Sequence, residues 1–105
     1  MNLLTTYDQA IRFLCQAGRA IVEQREPEAR QCGSSTIAVL ARVIRAIQDG
    51  GSGGWNSDLE HQHGFLVMQI DRAIDGMDIE ALEEALEQLN QLRQGWGQVL
   101  RDRAA

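Results

Sequence analysis

Apolar side chains recur along the first segment at alternating steps of three and four: Leu4, Tyr7, Ile11, Leu14, Gly18 and Ile21, flanked by Leu3, Ala10, Ala17 and Val22. That spacing predicts one helix with a continuous apolar stripe, from about residue 3 to about residue 25. Glu26-Pro27 interrupts it, because proline lacks the N–H and disfavours helical geometry in the residue before it. Pro27 in turn suits the first turn of a second helix, expected over about 28–48. Its stripe is Ile37, Leu40, Ile44 and Ile47, widened by Ala41 and Val43. Gly33-Ser34-Ser35 leaves two readings there, a weak interior turn or the true N-cap.

Asp49-Gly50-Gly51-Ser52-Gly53-Gly54 reads as a flexible connection, since glycine loses the most freedom on ordering and nothing in it buries apolar area. Ser57-Asp58-Leu59-Glu60 has the spacing of a capping box and predicts a third helix over about 57–75. Its inward positions are Leu59, His63, Leu66, Ile70, Ala73 and Met77. After a turn at Asp75-Gly76-Met77, Asp78 is the expected N-cap of a fourth helix over about 79–102. Ile79, Leu82, Leu86, Leu89, Trp96 and Leu100 share one face of it. Four such stripes with mostly short connections predict an all-α fold, an antiparallel four-helix bundle in which residues 1–105 form a single domain.

Composition narrows the function. A chain of 105 residues buries roughly two-thirds of its unfolded surface, enough for a modest bundle but with little interior for a cofactor. The formal net charge of −5 argues against a grip on nucleic-acid phosphates. The N-terminal Met-Asn-Leu-Leu has neither the basic segment nor the long apolar run of a signal peptide, and no stretch approaches the ~20 apolar residues of a membrane span. The expected location is the cytoplasm, with no membrane insertion. There, Cys15 and Cys32 are expected to stay reduced and inert.

No catalytic, cofactor-binding or metal-ligating set assembles from the motifs. His61 and His63 lie roughly 200° apart around a helix and cannot share a tetrahedral ion. They read instead as a solvated His61 and a partly buried, hydrogen-bonded His63. Glu80, Glu83, Glu84 and Glu87 fall on the polar face of the fourth helix, and the glycine cluster lacks the spacing and the lysine of a phosphate loop. Hydrophobic surface remains. Leu3, Leu4, Tyr7, Ala10, Ile11, Phe13, Leu14, Ala17 and Val22 cover more than half the circumference of the first helix. Either part of that surface receives an amphipathic partner helix, or the first helix is the most central of the four.

Leu3-Leu4-Thr5-Thr6-Tyr7-Asp8-Gln9-Ala10-Ile11-Arg12-Phe13-Leu14 resembles the Leu-Leu-x-x-Tyr-Asp-Gly-Ala-Ile-Arg-Phe-Leu stretch of the flagellar secretion chaperones, the FliS family. Gly53-Gly54 precedes the third helix as in that family. Asp78-Ile79-Glu80-Ala81-Leu82-Glu83-Glu84 is similar to its Asp-Pro-Glu-Ala-Leu-Glu-Glu, and Leu89-Asn90-Gln91-Leu92-Arg93-Gln94-Gly95-Trp96 to its Leu-x-x-Leu-Arg-x-x-Trp. The chain departs in three ways. It starts almost at the Tyr-Asp motif, where the family has a further stretch that forms a small cap, so a cover over the groove is expected to be missing. It has Gln62-His63-Gly64-Phe65 where the family tends to Leu-Tyr-x-Tyr. Gly33 and Gly64 suggest a softer bundle or close helix approaches.

The resemblance implies a cytoplasmic export chaperone that binds the disordered C-terminal region of flagellin, prevents premature polymerisation, and releases its client at the flagellar export gate with no nucleotide of its own. Leu3, Leu4, Tyr7 and Ile11, with His63, Leu66 and Trp96, are the expected partner-binding residues. Tyr7 also has a reading as a core residue. Two other functions stand beside this one: an interaction module for another secreted substrate or a regulatory protein, and a small enzyme.

Overall fold

The computed structural model describes residues 2–49 and 54–104. Four helices follow one another: α1 (Leu3–Val22), α2 (Glu26–Asp49), α3 (Gly54–Asp75) and α4 (Ile79–Ala104). Each packs against two neighbours in a ring, α1 on α2 and α4, and α3 on α2 and α4. Asp8 pairs with Arg93 and Gly18 abuts Leu82, so α1 and α4 run antiparallel. Gln9 meets Arg42 while Gln16 meets Cys32, and the same holds for α1 and α2. The result is the expected all-α four-helix bundle. Leu14, Leu40, Val43, Leu66, Ile70, Leu82 and Leu89 are among its fully buried side chains.

Local chemistry accounts for most helix ends. The Asn2 side chain accepts from the Thr5 N–H at 3.1 Å, and Asp78 accepts from Ala81 at 3.1 Å, as its N-cap role requires. α1 stops at Val22, short of the expected residue 25. Gln24 takes a φ of 60° there, and the Arg25 N–H reaches back to the Ala20 carbonyl at 2.8 Å, closing the helix with a left-handed residue. Met77, with a φ of 50°, closes α3 in the same way. α2 runs unbroken through Gly33-Ser34-Ser35, which removes the N-cap reading of that segment. α3 begins at Gly54, a turn before the capping box, so Ser57 lies inside the helix. The expected flexible connection falls on residues 50–53, outside the described residues, as does the side chain of Leu100.

Two of the glycines behave differently. A Cβ on Gly33 would stand 2.7 Å from Cγ1 of the buried Ile74, so this glycine sets a close approach of α2 to α3. A Cβ on Gly64 would meet nothing within 4 Å. Alanine at Gly64 should therefore raise stability by about 0.5–1 kcal/mol through helix propensity alone. Alanine at Gly33 gains the same propensity but overpacks the core at a cost of ~1–3 kcal/mol, a net loss. Paired thermal melts of the two variants check this, and a stabilised Gly33→Ala would mean that α2 and α3 can separate freely.

Candidate functional site

Most of the apolar surplus of α1 goes into the bundle. Tyr7, Ala10, Leu14, Ala17, Ala20 and Ile21 are buried, and Leu3, Ile11 and Phe13 pack partly buried against them. Leu4 is also half-buried. Among the described residues the large apolar side chains left exposed are Val22 at the end of α1, and Phe65 and Met68 on α3. Phe65, 58% exposed, stands in a groove of about 560 Å³ between α3 and α4. Its apolar surface comes from Leu59, Phe65, Leu92, Trp96 and Val99, its polar surface from Gln62, Gln88 and Gln91, and Gly95 leaves one stretch of wall without a side chain. None of these residues is charged.

A polar network lies behind the groove. The Leu59 carbonyl can only accept, so the Nδ1 of His63, 2.7 Å away, carries the proton. Nε2 is then an acceptor, and the Tyr7 hydroxyl donates to it at 2.5 Å across the core. The rings are tilted, with centroids 5.8 Å apart. The buried indole N–H of Trp96 interacts with the same hydroxyl, outside strict hydrogen-bond geometry. Tyr7, His63, Leu59 and Trp96 thus tie α1, α3 and α4 together, and the last two also line the groove. Burial pushes the Tyr7 hydroxyl pKa up, with the Trp96 contact opposing. Outside the core, Asp8 accepts from Nε of Arg93 at 2.5 Å, and this hydrogen bond holds its carboxyl below the usual value. The Tyr-Asp and Leu-Arg-x-x-Trp motifs therefore meet in space, as a clamp between α1 and α4.

The expected partner-binding residues fall in different places. Tyr7, His63 and Leu66 are fully buried. His63 is deeper than the partly buried place expected for it, because the tyrosine reaches it across the bundle diagonal. Of the seven residues, only Trp96 lines the groove. Leu3, Leu4 and Ile11 lie on α1, which does not border it. Phe65, Leu92 and Val99 were not singled out from the sequence, although Phe65 and Met68, three apart and off the inward stripe of α3, form a second apolar line. His61 and Glu80, Glu83, Glu84 and Glu87 are exposed. Among the described residues no group of three or more His, Cys, Asp or Glu could hold a metal ion, and no helix is long and apolar enough to cross a membrane.

Burial lowers the pKa of His63 below its ordinary 6.5, so the fold favours the neutral ring. Its contribution to stability is complete above the unfolded pKa and is lost as pH falls below it, because the unfolded chain takes up a proton that the native core resists. Melting temperature should drop as pH is lowered from 7 toward 5, roughly, in the ordinary histidine range. Asp8 titrates only in a more acidic window, below 3.8. In His63→Gln the slope in the histidine range should flatten, and an unchanged slope would assign it to another group.

Comparison with curated proteins gives no match. Comparison with protein-family models matches residues 2–103, nearly the whole chain, to the family described as flagellar protein FliS. With its motif residues joined across one four-helix bundle, the chain belongs to the FliS family of flagellar export chaperones.

Proposed function

We propose that this protein binds the disordered C-terminal region of flagellin in the cytoplasm and holds it, without catalysis, in a form competent for type III export. The flagellin segment folds into a helix along the α3–α4 groove, which masks the apolar face that would otherwise join a filament, and it is released at the export gate. The exposed ring of Phe65 beside Trp96 carries this reading. Fully burying such a side chain is worth about 1.5–3 kcal/mol, and the bundle leaves most of that unspent. A segment that pays for its own ordering needs such contacts.

The test is retention of full-length flagellin by the purified chain, with loss when the flagellin C-terminal tail is deleted. Phe65→Ala should keep helical circular dichroism and weaken binding at least tenfold, or ~1.4 kcal/mol. Val22→Ala, exposed at the end of α1 and away from the groove, should leave affinity unchanged. Absence of flagellin binding would turn the assignment toward another secreted substrate or a regulatory protein.

A further inference from the structure

Gly95 lies well inside α4, where glycine costs about 0.5–1 kcal/mol relative to alanine. Packing within the bundle does not account for it. At Gly18 and Gly33 an added Cβ would press on Leu82 and Ile74, whereas at Gly95 it would meet nothing within 4 Å. What the missing side chain leaves open is groove. Gln91 and Val99, one turn before and one turn after it, both line the same wall. A low wall of this kind lets the backbone of a docked segment come close.

Among the described residues the groove is also lined by no charged side chain, in a chain of net charge −5. Gln62, Gln88 and Gln91 each offer a donor and an acceptor beside the apolar strip. Amide and hydroxyl side chains on a docked helix would find partners there. A carboxylate or ammonium would be desolvated with no opposite charge to meet it.

We infer that the groove selects its client by chemistry: an amphipathic helix whose apolar stripe is flanked by uncharged polar side chains and whose backbone seats against Gly95, which acts as the specificity-determining residue. This rests on the groove of the proposed function and specifies what enters it.

Two probes separate the inference from that function: the flagellin C-terminal segment, and a designed amphipathic helical peptide of leucine, alanine and glutamine with no charged side chain. Both should bind, with affinities that change little between low and high salt because no ion pairs form. Gly95→Met should melt at the same temperature or higher, yet bind both probes at least tenfold more weakly. Gly95→Ala should be intermediate, and Gly64→Met, open but outside the groove, should bind as the parent does. Replacing the peptide's glutamines by glutamates should also weaken it at least tenfold. Parental affinity in Gly95→Met, or equal binding of the glutamate peptide, would overturn the inference. If the designed peptide behaves as described and the flagellin segment does not bind, the inference stands and the flagellin assignment falls. If neither probe binds, both fall.

Discussion

Tyr7→Ala should lower unfolding free energy by about 3–5 kcal/mol, the scale of an aromatic deletion from a packed core. That is a large share of what a bundle of this size holds in reserve, since domains are stable by only about 5–15 kcal/mol. The ring has no exposure, and its loss also removes the donor to His63. Tyr7→Phe isolates the second effect. It keeps the ring, strands the His63 acceptor, and should cost ~1–3 kcal/mol, the desolvation penalty of an unpaired buried polar group. Urea melts followed by circular dichroism measure both. Flagellin binding by Tyr7→Phe at a temperature where it is folded should stay near the parental level. A tenfold loss in that folded variant would show that the network behind the groove shapes its floor.

Leu89→Ala comes next in size, at about 2–5 kcal/mol. Leu89 is completely buried. Leu86, on the same apolar face of α4 and expected from periodicity to match it, is only partly buried and borders a shallow depression with Glu83, Glu87 and Asn90. Leu86→Ala should therefore cost less than half as much, because its site can relax into solvent and leaves little cavity. Equal losses in denaturant melts would mean that the depression closes in solution.

Periodicity placed Leu14, Leu40, Leu66, Ile70 and Leu82 in the core because a helix has one inward face and the apolar residues must share it. The turns were legible for a similar reason: Pro27 is excluded from a helix interior but suits a first turn, and Asp78 answers an orphan N–H. Ends decided by weaker preferences were not. The Ser57 cap is worth only ~1 kcal/mol, and α3 extends past it to Gly54.

By itself, then, the sequence determined four amphipathic helices, their order, and the motifs that mark the family, since each depends on residues near one another along the chain. The tertiary structure alone decided which apolar residues remain uncovered. Helical spacing tells which side of Tyr7 or Phe65 faces inward, but not how far apart two neighbouring helices stand at that level. Tyr7 could be read as an interface or a core residue; it is fully buried, with its hydroxyl on His63 of the opposite helix. Phe65 looked incidental and is 58% exposed, in a groove whose α4 side includes Gly95 and two glutamines. That gap depends on side chains some thirty residues apart, which no local pattern brings together.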